Sequence, residues 1–212
     1  MPPLAPVLPL ETIDAVEPNA EQRPFLLPGC TWEQYVALDE LFEEQRIRIR
    51  YLDHWIEIMF PISQNHERRK SHLGCLIETW CLEREIEFFI NGSTTMRKEK
   101  EAGGQPDESY VFHEDREDRP DLVIEIALTS GGLSKRAFYR KFGVPELWIW
   151  RKDRLEVHFY TPAKADYVPS EQSTVLPGIP LADVEECARL EGASQAIREF
   201  RKRIAGPPIR DS

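Results

Sequence analysis

Apolar and polar positions alternate with two different periods along this chain, and the switches between them mark its elements. Residues 1–28 show little periodicity and hold seven prolines and four carboxylates, which predicts a flexible arm. Thr31 and Gln34 have capping-box spacing, and Tyr35, Leu38, Leu41 and Phe42 follow on one helical stripe. The strict alternation Ile47-Arg-Ile-Arg-Tyr51 predicts a half-buried strand, turned at 51–54 into a second strand, 55–60, that ends at Pro61. Ser63 can cap a long helix to about Glu85 whose stripe is Leu73, Leu76, Ile77 and Trp80, with His66 on the same line.

Short strand patterns follow at 87–90, 94–98 and 109–113. Leu122-Val-Ile-Glu-Ile-Ala127 is almost wholly apolar, as in a strand buried on both faces. A helix over 133–142 stops at Gly143, strands are expected at 146–151 and 155–160, and helices from about 181 to 204 close the chain. The class is mixed α/β: a sheet covered by helices, as one domain over 29–206 with a tail at 207–212.

One residue breaks the pattern. Glu125 lies inside the most apolar strand, where a lone carboxylate is costly unless paired, protonated or bound to a metal. A strand end in solvent or a buried ion pair would also explain it. Asp107 and Asp121, each after a proline, are the candidate partners. Asp121 shares the Glu125 strand but sits roughly 13 Å away at strand rise, so it reads as a turn residue. Asp107 can lie beside Glu125 if their strands pair. Two carboxylates and a backbone carbonyl make a hard oxygen site suited to Mg²⁺ or Mn²⁺. Lys135 is the nearest cation in sequence, and His66 near its helix start could face the same cleft; a solvated lysine and a hydrogen-bonded core histidine are the plainer readings.

Charge refines this picture. The 212 residues carry a net charge of −10, which argues against a broadly basic nucleic-acid surface. Locally, residues 46–70 hold six basic against three acidic groups and residues 134–154 seven against two, flanking an acidic stretch at 97–125. Four cysteines without C-x-x-C spacing predict free thiols in a reducing cytoplasm, and neither a membrane span nor a secretory signal is evident. Phosphate-loop, dinucleotide-loop, zinc-protease and serine-hydrolase motifs are absent.

The ordered set Tyr51-Leu-Asp, Ile56-Glu-Ile-Met, Pro61, His66-Glu, Gly92-Ser-Thr-Thr, Pro106-Asp-Glu-Ser, Pro120-Asp-Leu-Val-Ile-Glu-Ile, Thr129-Ser, and Tyr139 to Gly143-Val-Pro-Glu-Leu-Trp resembles the Uma-two family of restriction-type endonucleases. That family lies within the PD-(D/E)XK nuclease superfamily. The resemblance spans about residues 30 to 160. It implies a restriction-endonuclease-like mixed β-sheet flanked by α-helices, and a Mg²⁺ (or Mn²⁺) site at Asp107, Glu125 and the carbonyl of Ile126. Lys135 would replace the missing lysine of the (D/E)-x-K element, where Ala127 stands, and His66 matches the family histidine.

Gln105 and His54 are further departures, and loss of a carboxylate at Ala127 would weaken metal binding. The resemblance implies a DNA endonuclease. Backbone contacts from Arg68, Arg69, Lys70, Arg136, Arg140 and Lys141 are expected, as is a homodimer, since nuclease folds commonly act on two strands as dimers, and an exposed 47–60 hairpin rich in Trp and Ile could mediate self-association. A catalytically inactive binding or regulatory protein, and a hydrolase of small phosphorylated substrates, are the alternatives.

Overall fold

The computed structural model describes residues 24–45, 47–59, 63–114, 119–127 and 132–205. Thr31 caps the first helix, α1 (Trp32–Phe42), in a complete capping box: its Oγ1 accepts from Gln34 N, and Gln34 Oε1 accepts from Thr31 N. Of the expected stripe, Tyr35 is buried and Leu38 and Phe42 pack partly, whereas Leu41 is 62% exposed. The long helix α2 (Gln64–Glu83) is capped by Ser63 as expected, and Leu73, Leu76, Ile77 and Trp80 are buried.

The strands form two sheets rather than one. The smaller, antiparallel sheet has β1 (Phe25–Pro28), β2 (Arg48–Leu52), β3 (Trp55–Met59), β5 (Met96–Lys98) and β6 (Ala102–Gly104), in the order β1-β3-β2-β6-β5. Residues 25–28, expected within the arm, are therefore a strand, while 1–23 lie outside the described residues. β6 runs through a glycine pair that reads as loop in sequence. Gly103 fits because a Cβ there would sit 2.4 Å from a ring carbon of Tyr35.

The larger, mixed sheet has β4 (Phe88–Ile90), β7 (Glu108–Phe112), β8 (Leu122–Ile126), β9 (Glu146–Arg151), β10 (Arg154–Thr161) and β11 (Asp166–Ser170), in the order β11-β10-β9-β8-β7-β4. Among the described residues its only parallel pair is β8 with β9, joined across α3 (Lys135–Phe142), which ends at Gly143 in the left-handed conformation. β11 was not legible in the sequence pattern.

Strand alternation distributes the core of β8. Leu122, Ile124 and Ile126 join Leu73, Leu76, Ile77 and Trp80 of α2 in one cluster, together with α4 (Leu181–Ala188) and α5 (Ala193–Ile204). Val123 points the other way, into a cluster with Leu133, Phe138 and Tyr139. Glu125 shares the Val123 face by the same period. This is a restriction-endonuclease-like mixed α/β architecture, carrying an additional small sheet. All four cysteines are free thiols, and no helix among the described residues is long and apolar enough to cross a membrane.

β2 departs from the half-buried expectation. Ile49 and Tyr51 pack with Tyr35, while Arg50 and Leu52 on the other face are also buried. Within the small sheet β3 lies between β1 and β2, and β2 pairs with β6 at Tyr51 and Leu52.

Candidate active site

The register of the central sheet builds the site. Antiparallel pairing matches Glu108 with Ile124, which puts Asp107, one residue earlier, alongside Glu125. Asp107 is 5% and Glu125 2% exposed. Asp107 Oδ2 accepts the Ile126 main-chain N–H at 2.7 Å and lies 3.1 Å from His66 Nε2, while Arg48 Nη1 donates to Oδ1. Asp107, Glu125, Lys135 and His66, all singled out in the sequence, thus come together, and Ile126 joins them through its N–H, where the sequence pointed to its carbonyl.

Glu125 has three partners. Arg50 Nη2 donates to its Oε1 at 2.8 Å, the Tyr139 hydroxyl donates to the same oxygen, and Lys135 Nζ lies 3.0 Å from Oε2. Lys135 reaches it because Ser134 caps α3 through Ala137 N, starting the helix beside the C-terminal end of β8. Tyr139, one turn on, shares that helix face. Arg50 also donates to the Gln105 carbonyl at 3.2 Å, and its guanidinium stacks 4.7 Å from the Phe138 ring centroid.

Electrostatics follow from these contacts. Burial opposes ionisation of Asp107, yet the His66 hydrogen bond and the charges of His66, Arg48 and Lys135 outweigh it and hold the carboxyl far below its ordinary range. Burial likewise opposes the Arg50 charge, and the carboxylates of Glu125, Glu57 and Asp107 outweigh that cost, so Arg50 stays a cation. The Tyr139 hydroxyl is pushed up strongly by burial and by Glu125, so it remains a donor.

Arg48, Arg50, Glu57 and Tyr139 carried no assigned role in the sequence reading. The available signal was the arginine alternation in 47–51, whose polar face looks onto carboxylates instead of solvent. Asp121 sits at the entry to β8, where its Oδ2 accepts from Phe112 N of β7 at 2.9 Å. Most of the expected DNA contacts are engaged within the protein. Arg69 binds the Ala188 carbonyl and Asp153, Lys70 pairs with Glu67, Arg140 with Asp166 and Lys141 with Asp53, whereas Arg68 and Arg136 are exposed.

Among the described residues, no three His, Cys, Asp or Glu side chains converge as a metal-ligand set. The oxygen donors at the site are the two carboxylates, hard ligands of the kind Mg²⁺ takes when water completes its shell, and of Ile126 it is the N–H that is bonded there. The sequence profile of the Uma2 family, described as "putative restriction endonuclease", matches residues 32–188. No curated protein matches the chain.

Proposed function

The chain belongs to the Uma2 family of restriction-type endonucleases, and from that premise we propose that it hydrolyses DNA phosphodiester bonds with a divalent cation held at Asp107 and Glu125. The observation that carries this reading is the pairing of these two buried carboxylates across β7 and β8, with Lys135 delivered onto Glu125 from the next helix.

Asp107, Glu125 and the Ile126 carbonyl would hold Mg²⁺ or Mn²⁺, which supplies water activation and a counter-charge for the attacked phosphate. Arg48 and Lys135, which bond the two carboxylates here, would turn their charge to the phosphate with the cation in place. Lys135 offsets negative charge developing on the phosphoryl oxygens. His66, anchored on Asp107, is positioned to accept a proton from the attacking water. Arg68 and Arg136 supply exposed backbone contacts with a salt-dependent share of affinity.

A second reading has its own observation. Every oxygen of Asp107 and Glu125 is already bonded to a protein donor, as a non-catalytic binding protein of this fold would require. Calorimetric titration with Mn²⁺, followed by incubation with supercoiled plasmid, separates the two. Nicking by the native chain that is lost in both Asp107→Ala and Glu125→Ala supports the nuclease. Absence of both Mn²⁺ binding and nicking in the native chain supports the non-catalytic protein instead.

A further inference from the structure

Glu57 lies outside the carboxylate pair but is tied to two groups that govern Glu125. Its Oε1 accepts the Leu133 N–H at 3.0 Å, fixing the segment that leads into α3, and its Oε2 lies 3.6 Å from Arg50 Nη1. Both side chains are 2% exposed, and neither that oxygen nor that nitrogen makes a hydrogen bond. The approach of the α3 segment is close enough to need glycine: a Cβ on Gly132 would sit 2.0 Å from Glu57 Oε1. Glu57 and Arg50 are direct cross-strand neighbours of β3 and β2.

The charges around the pair decide what this contact does. Among the described residues there, Asp107, Glu125 and Glu57 face Arg48, Arg50 and Lys135, which is formally neutral when His66 carries no proton. Removing the Glu57 charge leaves a net cationic pocket, and a divalent cation is then repelled. Arg50 cannot turn away to solvent, because it is enclosed between Glu125, the Gln105 carbonyl and the Phe138 ring.

We propose that Glu57 is a positioning residue that offsets the Arg50 charge and so leaves Glu125 able to take a divalent cation. The inference rests on Asp107 and Glu125 being the cation site. Glu57→Gln is the sharp perturbation, since it keeps an oxygen for Leu133 N–H, removes the charge and turns an NH₂ instead of an acceptor toward Arg50 Nη1.

The experiment is calorimetric titration of Mn²⁺ into the metal-free full chain, as native protein, Glu57→Gln, Glu57→Gln/Arg50→Gln and Glu125→Gln, with circular dichroism to verify folding. Glu57→Gln is expected to raise Kd by about tenfold or more, as loss of one unit charge from a buried pocket implies. The double variant is expected to return within about threefold of the native value. A merely structural Glu57 would lower the melting temperature of Glu57→Gln without weakening Mn²⁺ binding by its folded fraction.

Native-like binding in Glu57→Gln, or a double variant as weak as the single one, overturns the inference while the cation site itself stands on the Glu125→Gln loss. No binding by the native chain overturns both. If Glu57→Gln does not fold, the double variant decides, because it buries no unpaired charge. Affinity near native then supports the offset, and affinity about tenfold tighter or weaker than native refutes it.

Discussion

Glu146→Gln tests whether an ionised side chain fixes the loop after β11. Glu146 is fully buried, opens β9, and has no ion-pair partner among the described residues. Its Oε1 accepts from Trp148 Nε1 and Ser173 Oγ, each at 2.6 Å. Its Oε2 accepts from Thr174 N at 2.6 Å, Thr174 Oγ1 at 2.7 Å and Val175 N at 3.3 Å. A glutamine must turn its NH₂ toward one of these sets. Toward Oε2 it meets two main-chain N–H groups, which can only donate. Toward Oε1 it meets the indole N–H and a serine hydroxyl that can rotate, so this orientation costs less.

The orphaned indole N–H then costs about 1–3 kcal/mol, and each remaining bond loses roughly 1 kcal/mol of charge assistance. Relief from burying a charge offsets part of this. The net expectation is a loss of about 3 kcal/mol. For a chain of this size that lowers Tm by roughly 6–12 °C. Urea unfolding followed by tryptophan fluorescence measures it, with the m-value unchanged. A loss below about 0.5 kcal/mol, the scatter of ordinary surface substitutions, would falsify the network as the tie that holds 173–175 to β9.

Lys135→Met removes the ammonium 3.0 Å from Glu125 Oε2, and is expected to cut plasmid nicking by about 10²–10³-fold while Mn²⁺ binding persists; loss of binding instead would make Lys135 a structural partner of the site. Tyr139→Phe removes a fully buried donor to Glu125 and should cost about 1–2 kcal/mol in chemical unfolding, with Arg50 still bonded to the same oxygen. Glu108 has a carboxyl pushed up chiefly by burial, with one buried oxygen that makes no hydrogen bond. Because a raised folded pKa favours the protonated form, its folding contribution is full below the ordinary carboxyl range and fades as pH rises through the folded pKa. Glu108→Gln should therefore raise the melting temperature at pH 7, with the gain shrinking toward about pH 4, as calorimetry at both values would show.

Glu146 also shows how motif residues divide. It belongs to the Gly143-Val-Pro-Glu-Leu-Trp stretch that carries the family resemblance, yet its contacts tie β9 to a distant loop and none reaches Asp107 or Glu125. Resemblance marks positions, while contacts separate those that hold the fold from those that face the chemistry.

The sequence by itself determined the elements whose signals are local. Capping at Thr31 and Ser63, the α2 stripe, the doubly buried β8 and the Gly143 stop all depend on neighbours within a few residues. It also singled out Glu125, because a carboxylate inside an apolar run is anomalous without any knowledge of its surroundings. Only the tertiary structure decided where that anomaly is resolved. Arg48 and Arg50 alternate with apolar residues like any solvent-facing pair, and they face carboxylates only because the small sheet lies over the Val123–Glu125 face of β8. Glu57 acquires a role from Gly132 and Leu133, far away in sequence, and β1, β6 and β11 exist because partner strands complete their hydrogen bonds. Local propensity is written every few residues, whereas burial and pairing across long separations depend on the folded whole.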